Sequence, residues 1–259
     1  MFHRTVAVAG WAVALFLVGP LAAVIGGSFS DTPYVAFPPQ GLTLRWYGLL
    51  LHRVDFLEAF GTSVLVAVLC TGAAVLLGVP AAVGLHRRGR QDALLQAVLM
   101  SPLVLPTVVT GVALLQFYYL IDWQAPLAGL VAGHVVITVP YVVRTVAAGL
   151  ARLDPALEEA AGSLGAGATR VLLRVTLPAV APSILAAVVF VFVTSFDQAT
   201  VSLFLAGPGV VPLPVRILNT IEFAVDPMVA AVSTLLILFA FALVALLQRL
   251  LGLDRVLGG

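Results

Sequence analysis

The sequence predicts an all-α, polytopic membrane protein. Hydrophobic residues make up 61% of the 259-residue chain and charged residues only 10%, against roughly 25% charged residues in an ordinary soluble domain. Several apolar runs reach the roughly 20 residues that a helix needs to cross a bilayer core. Each run must be helical, because a helix satisfies its backbone amides and carbonyls within a single segment surrounded by hydrocarbon.

Apolar runs separated by polar segments predict six transmembrane helices. They lie at Val6–Ile25, Phe56–Leu85, Ala93–Ile121, Pro126–Val146, Pro178–Leu205 and Met228–Leu251. The first run is longer than the roughly 7 to 15 residues of a signal-peptide core, which favours a retained helix. Cleavage stays open as an alternative, because small residues follow Gly19 and Pro20.

The arginines determine the predicted orientation. All 13 basic residues are arginines, and positive residues near the ends of spans are retained on the cytoplasmic side. With the N-terminus inside, ten arginines lie in inner segments and only three, Arg45, Arg53 and Arg216, in outer ones. The sequence therefore predicts cytoplasmic termini and one membrane domain over residues 1–259, with its core at about 56–251.

The charges and reactive side chains exclude several functions. A formal net charge of +1 provides no basic surface for nucleic acid. Without lysine the chain lacks the Walker A residue that grips phosphate, so ATP hydrolysis is not expected here. Cys70 is the single cysteine, which rules out a disulfide framework and a thiolate cluster. The four histidines lack metal-ligand spacing, so neither a metal nor a cofactor is expected.

The predicted cytoplasmic segment at residues 149–178, here called the 149–178 loop, contains no spanning run. Asp154 followed by Pro155 predicts a helix start. Apolar residues then recur at helical spacing on one face, with Glu158 and Glu159 beside them. That face consists of Leu157, Ala160, Ala161 and Leu164. Gly165 is expected to end the helix in the left-handed conformation.

The second half of this loop is expected to form another short helix. Thr169 would cap it over Arg170–Thr176, and Pro178 would end it or redirect it into the fifth span. The small apolar face of the first helix predicts a docking surface for a partner protein. In the alternative, the loop lies on the lipid headgroups, which the acidic pair disfavours next to anionic lipid.

The spacing in this loop resembles the EAA loop of binding-protein-dependent ABC transporter permeases, the MetI-like family. That pattern is E-A-A, three residues, G, nine residues and I-x-L-P. It is matched by Glu159-Ala160-Ala161, by Gly165 and by Val175-Thr176-Leu177-Pro178, with Val175 in place of Ile. Further stretches are similar to the second permease of spermidine/putrescine-type importers. They are Leu44–Tyr47, Pro140–Thr145, Ser195–Asp197 and Asp226–Thr234.

The resemblance implies a MetI-like permease fold in the bacterial cytoplasmic (inner) membrane. It implies a translocation path for a small solute delivered by an extracytoplasmic solute-binding protein. The loop would be a coupling helix in a cleft of a cytoplasmic ABC ATPase dimer. Its coupling residues would be Glu158, Glu159, Ala160, Ala161, Gly165, Leu177 and Pro178. A second permease subunit is also implied, and the polyamine-type resemblance favours a heterodimer over two copies of this chain.

Asp197 is the acid placed deepest in a predicted span. Because burying its charge in the membrane is costly, an ionisable residue there indicates a functional role. With Gln198 it is the candidate lining of the solute path. In the alternative, Asp197 pairs with Gln198, Ser195 or a backbone amide to fix helix packing. Gln198 and Thr107 stand where polyamine-type permeases often have acids, so ferric iron, thiamine, phosphonate, sulfate or an opine stay possible solutes.

Two other classes of protein fit the helices less well. An ion-coupled secondary transporter usually shows repeat-related halves and several embedded charges. An intramembrane serine enzyme would require a pair such as Ser101 and His134, whose spacing gives no support for a dyad. A lone histidine in the fourth span is instead expected to be a hydrogen-bonded packing residue.

Overall fold

A computed structural model describes residues 2–88, 93–223 and 227–251, and the regular elements within these ranges are helices. In chain order the α-helices are α1 Phe2–Gly27, α2 Arg45–Leu50, α3 Val54–Arg88, α4 Ala93–Val104, α5 Thr107–Leu120, α6 Pro126–Leu150, α7 Pro155–Ser163, α8 Ala168–Val171, α9 Leu177–Phe196, α10 Ala199–Leu205, α11 Leu213–Phe223 and α12 Pro227–Leu251. A π-helical segment, Leu172–Thr176, joins α8 to α9. The predicted all-α class is confirmed for the described residues.

Four helical stretches in the described residues are long and apolar enough to cross a bilayer. They are Ala9–Gly27, Val54–Arg87, Pro126–Leu150 and Ala168–Phe196. The pair α4 and α5 makes a fifth if it counts as one span. In α12, at the sixth predicted span, the apolar stretch Pro227–Leu243 is shorter than these. The protein is thus a multi-pass membrane protein with four or five evident spans.

The third predicted span is broken where the sequence predicts one run. Helices α4 and α5 meet at 104°, and Pro106 lies between them in an extended conformation (φ −57°, ψ 133°). Proline has no amide hydrogen to continue the hydrogen-bond ladder, and its ring disfavours the helical conformation at the preceding residue. The break therefore follows from Pro106.

The fifth predicted span is shifted towards the N-terminus. The helix runs without a sharp break from Ala168 to Phe196, so Pro178 neither ends nor redirects it. Pro178 lies in the first turn of α9, directly after the π-helical segment, and the first turn of a helix tolerates a residue without an amide hydrogen. At its other end the helix stops before Leu205, because Asp197 and Gln198 separate α9 from α10.

The chain divides into two compact units, Met1–Glu58 with Arg216–Leu246 and Ala59–Val215 with Leu247–Gly259. In the first unit, the Trp46 indole donates a hydrogen bond to the Ser30 carbonyl at 2.8 Å. The Arg53 guanidinium donates to both carboxylate oxygens of Asp55, at 2.9 and 2.8 Å. These bonds order the segment between α1 and α3.

The core of the second unit lies between α3, α6 and α9. Its buried residues include Cys70, Ala74, Val142, Val146 and Val191. Gly78 allows the close approach of α3 to α6, because a Cβ there would lie 2.6 Å from the Val142 Cβ. A second apolar cluster brings α10 against α6 through Leu130, Ile137, Val201 and Leu205.

Candidate functional site

The helix start predicted in the 149–178 loop is present. The Asp154 carboxylate accepts a hydrogen bond from the Ala156 amide at 3.0 Å, and Pro155 occupies the first helical position. The carboxylate satisfies an amide that a helix start leaves without a partner. Pro155 has no amide that would need one. Helix α7 therefore begins where the sequence predicts.

Gly165 ends α7 in the left-handed conformation, as predicted, with φ +83°. Its amide donates to the Gly162 carbonyl at 2.9 Å, and the Ala166 amide donates to the Ala161 carbonyl at 3.1 Å. These two bonds form a Schellman motif. A Cβ at position 165 would meet no atom within 4 Å. The backbone angle, rather than crowding, is therefore what favours glycine here.

The surface of α7 presents apolar and acidic side chains outwards. Leu157 is 51% exposed and the C-cap residue Leu164 is 89% exposed. Glu159 and Ala160 are exposed, and Ala161 is half-buried. Small residues allow another backbone to come close, and an exposed carboxylate is available to a charged donor. The arrangement has the features of a docking surface.

Glu158 differs from its neighbour Glu159 because it has a partner within the fold. The Thr176 hydroxyl donates a hydrogen bond to the Glu158 carboxylate, and Thr176 is only 2% exposed. Thr176 ends the π-helical segment, directly before Leu177 and Pro178 of α9. This bond ties α7 to the start of α9. No local pattern indicates the pair, since 18 residues separate its members.

The predicted capping role of Thr169 is wrong. Helix α8 begins at Ala168, and its N-cap is Gly167 in an extended conformation (φ −68°, ψ 159°). Thr169 therefore lies inside the helix rather than before it. The predicted second helix over Arg170–Thr176 is also different, because its latter part is the π-helical segment.

Asp197 and Gln198, here called the break, interrupt the predicted fifth span, Pro178–Leu205, between α9 and α10. The Asp197 amide donates to the Val193 carbonyl at 3.1 Å and ends α9, whereas Gln198 is extended (φ −75°, ψ 90°). The Asp197 side chain is exposed, and within the described part of the chain its carboxylate has no hydrogen-bond or ion-pair partner. The structure thus shows none of the packing partners considered for it.

His134 joins the two sides of this break. Its Nδ1 atom lies 2.8 Å from the Ser195 hydroxyl, and its Nε2 atom lies 2.9 Å from the Ser202 hydroxyl. The imidazole is 1% exposed. The Thr138 hydroxyl donates to the His134 carbonyl at 2.7 Å and lies 3.3 Å from the Cys70 thiol. These residues, Cys70, His134, Thr138, Ser195 and Ser202, form the His134 centre.

Counting donors assigns the proton of the imidazole. The Ser202 hydroxyl donates its one hydrogen to the Gln198 carbonyl, so it accepts from His134 Nε2–H. A neutral imidazole then has an acceptor at Nδ1, to which the Ser195 hydroxyl donates. The expectation of a hydrogen-bonded packing histidine agrees with this geometry. The sequence did not indicate that Ser202 is its partner.

The structure does not bring Ser101 and His134 together as a dyad. The Ser101 hydroxyl donates to the Val98 carbonyl at 2.8 Å, whereas both ring nitrogens of His134 are bonded to other serines. Among the described residues, no three His, Cys, Asp or Glu side chains lie close enough to hold a metal ion.

A groove between α6 and α9 carries positive charge. Arg144 and Arg152 line it together with the aromatic pair Tyr141 and Phe190, whose rings pack edge to face with centroids 5.0 Å apart. Two guanidinium groups repel a cationic ligand. This groove therefore has the wrong charge to bind a polyamine, which a carboxylate would attract.

Comparison with known proteins finds related permeases over most of the chain. The family described as "Binding-protein-dependent transport system inner membrane component" matches residues 74–253. The putrescine transport system permease protein PotI of Escherichia coli (strain K12) is 33% identical over 230 residues, which are 86% of this chain and 82% of that protein. The spermidine/putrescine transport system permease protein PotC of the same strain is 31% identical over 248 residues, or 95% and 93%.

Solved structures share the fold at lower identity. A chain of a bacterial ABC transporter involved in the import of the acidic polysaccharide alginate superposes with a TM-score of 0.74 at 16% identity, covering 96% of this chain and 95% of that one. A chain of the inward-facing MetNI methionine ABC transporter gives 0.67 at 15% identity, covering 81% and 98%. At these identities the likeness concerns the fold alone.

Proposed function

The chain belongs to the family of binding-protein-dependent transport system inner membrane components, and from this premise we propose how it receives energy and which solute it passes. It is a permease subunit of an ABC importer. The observation that carries the proposal is the capped helix α7, which ends at the left-handed Gly165 and exposes Leu164 beyond its last turn.

The whole chain, residues 1–259, would act as one transmembrane domain in a bacterial inner membrane, with its core at about 56–251. Six spans would include α12 and the bent pair α4 and α5. The arginine distribution supports placing both termini in the cytoplasm, because inner segments are rich in arginine. In that orientation the 149–178 loop faces the cytoplasm, where nucleotide is available.

The 149–178 loop would couple this subunit to a cytoplasmic ABC ATPase dimer. Glu159, Ala160 and Ala161 would contact the ATPase, and Gly165 would set the turn between the two halves of the loop. Glu158 would hold α7 against Thr176, next to Leu177 and Pro178. A movement of α7 would thus be transmitted to the start of α9 through the hydrogen bond between Thr176 and Glu158.

The other partners complete an alternating-access cycle. A second permease subunit would form a heterodimer with this chain, and an extracytoplasmic solute-binding protein would deliver the solute. ATP binding would favour one arrangement of the two loops and hydrolysis the other, since a ligand shifts an equilibrium only through differential affinity. ATP would be hydrolysed on the ATPase subunits and not on this chain.

We further propose that the solute is a polyamine such as putrescine. The similarity to PotI and PotC supports this class, and the exposed Asp197 carboxylate provides a charge that attracts an ammonium group. Gln198 beside it would add an uncharged hydrogen-bonding group. Because this chain has one acid at the break, binding would be weaker than where two acids stand together.

Charge reversal at Glu159 tests the coupling assignment. In Glu159→Arg we expect co-purification of the ATPase to be lost and uptake of radiolabelled putrescine to fall at least tenfold, since a buried contact with a charged donor becomes a repulsion. Glu222→Arg reverses another exposed glutamate, on α11, and serves as the matched control. Normal uptake with Glu159→Arg would reject the assignment.

Uptake measured in the same cells distinguishes an ABC importer from an ion-coupled secondary transporter. Uptake should stop when the Walker A lysine of the co-expressed ATPase is replaced by alanine, even with the ion gradient intact. Uptake that continues on the gradient alone would contradict the ABC mechanism for this chain.

A further inference from the structure

We propose that His134 is a positioning residue for transport: its imidazole fixes the break and thereby sets where the Asp197 carboxylate lies. The proposal rests on the assignment of Asp197 to the solute path made above. Since the imidazole is only 1% exposed, it acts through the break rather than by touching the solute.

The hydrogen bonds of His134 reach both sides of the break. Ser195 lies in the last turn of α9, two residues before Asp197, and Ser202 lies in α10, four residues after Gln198. The imidazole is a rigid ring, so two bonds of 2.8 and 2.9 Å to its nitrogens fix the separation of the two hydroxyls. The end of α9 and the start of α10 are therefore held at one spacing.

A relay continues from the ring to the backbone of the break itself. The Ser202 hydroxyl accepts from His134 Nε2–H and donates to the Gln198 carbonyl. Because a hydrogen bond prefers a nearly linear geometry, this donor favours one orientation of the carbonyl. His134 thus orients Ser202, and Ser202 orients the peptide unit between Gln198 and Ala199, one residue after Asp197.

The neighbouring residue, Gly133, brings the two helices close enough for this contact. A Cβ at position 133 would overlap the Leu205 Cδ1 atom. Helix α10 therefore lies against the bare backbone of α6 beside His134. Thr138 adds a bond to the His134 carbonyl from the next turn of α6. His134 is thus bonded through its backbone carbonyl within α6 and through its ring to α9 and α10.

Apolar packing alone gives no reason for a histidine at this position. The cluster around the start of α10 consists of aliphatic side chains, among them Leu130, Ile137 and Val201. An aliphatic residue would fill such a site without the cost of burying a polar ring. The imidazole instead forms hydrogen bonds with the hydroxyls of Ser195 and Ser202. These serines belong to α9, which ends at the break, and to α10, which begins there.

Three variants separate positioning from packing in the complete transporter, with its ATPase and binding protein. His134→Leu keeps much of the volume and removes both bonds. His134→Gln keeps an amide that can donate and accept. Ser202→Ala leaves the ring in place and removes two bonds of the hydroxyl, the one to His134 and the one to the Gln198 carbonyl. A folding failure of His134→Leu would therefore not end the test.

For His134→Leu and Ser202→Ala we expect about tenfold slower putrescine uptake, with normal membrane content and normal ATPase co-purification. His134→Gln should recover at least half of the wild-type rate. In an Asp197→Asn background the additional loss from His134→Leu or Ser202→Ala should be less than twofold, because a residue that acts through Asp197 has little left to position.

Amide hydrogen exchange measures the geometry without reference to any solute. The amides of residues 197–202 should exchange several-fold faster in His134→Leu and Ser202→Ala, and at the wild-type rate in His134→Gln. Unchanged exchange in both of the first two variants would overturn the proposal. So would equal multiplicative losses of uptake with and without Asp197→Asn.

Failure of the proposed function gives a different pattern. Full uptake by Asp197→Asn would remove Asp197 from the solute path, and absence of putrescine uptake by the wild-type transporter would remove that solute. The exchange data would still decide whether His134 fixes the break.

Discussion

The 149–178 loop and the His134 centre are held together by different kinds of contact. In the loop, most bonds join residues close in sequence, such as Asp154 to Ala156 two positions on. The leucine at its tip, Leu164, is 89% exposed. In the His134 centre the bonds span 61 and 68 residues, and Ser202 is 0% exposed.

This difference separates two consequences of mutation. The loop forms its own turns and caps, so a change there alters its shape and its contacts with a partner while α6 and α9 stay packed. The His134 centre joins four helices, α3, α6, α9 and α10, through buried polar atoms, and an unsatisfied atom there destabilises the fold itself. Loop variants should therefore affect coupling, and centre variants should affect stability as well.

The largest effect is expected from Gly165→Val. A β-branched residue is strongly disfavoured at φ +83°, so α7 would lose its terminal turn and the loop its shape. We expect uptake to fall more than tenfold and ATPase co-purification to be lost, with the melting temperature of the isolated permease within about 2 °C of wild type.

Two substitutions serve as controls for Gly165→Val. Gly165→Asn should retain much of the activity, since asparagine tolerates the left-handed region. Gly162→Ala places a methyl where no atom lies within 4 Å and should behave as wild type. A large drop in the melting temperature for Gly165→Val would show that the loop is part of the structural core. It would contradict the expectation that loop variants leave the helix packing intact.

An intermediate effect is expected from Thr176→Val, which removes the hydrogen bond between Glu158 of α7 and the residue before α9. Valine has nearly the same shape but no hydroxyl for Glu158, a loss of about 1 kcal/mol. We expect about fivefold less uptake per ATP hydrolysed, measured in proteoliposomes. Thr176→Ser keeps the hydroxyl and should stay near wild type. Equal coupling in both variants would mean that this hydrogen bond transmits nothing.

The smallest effect on transport is expected from Thr138→Val in the His134 centre. The change removes the donor to the His134 carbonyl and one hydrogen-bond partner of the Cys70 thiol. We expect the melting temperature to fall by about 2 to 4 °C, with uptake within twofold of wild type. Thr220→Val removes a hydroxyl that also bonds within its own helix and should shift the melting temperature less. Unchanged stability for Thr138→Val would remove the contrast between the two regions.

The 149–178 loop, with its short-range contacts, could be predicted from the sequence better than the His134 centre, with its long-range contacts. The start of α7 at Asp154 and its end at Gly165 were predictable, because caps and turns depend on residues a few positions apart. The apolar runs likewise predicted most helices, since lipid requires helical structure of every span.

The remaining features depend on residues far apart or on competing local preferences. Nothing in the spacing of His134, Ser195 and Ser202 indicates that they meet. Proline has opposite effects at two positions. At Pro106 the helices on either side meet at 104°, whereas at Pro178, which follows a π-helical segment, the helix continues without a sharp bend. The sequence alone does not distinguish these cases, because the outcome depends on the hydrogen bonds of the preceding turn.

The burial of Cys70 has a practical consequence for spectroscopy. It is the single cysteine of the chain, its side chain is 0% exposed, and a thiol reagent reacts only with an accessible thiolate. Leu164→Cys would therefore place one reactive thiol at the tip of α7 without removal of the native one. A fluorophore attached there would follow the movement of this tip through each cycle of nucleotide binding and hydrolysis.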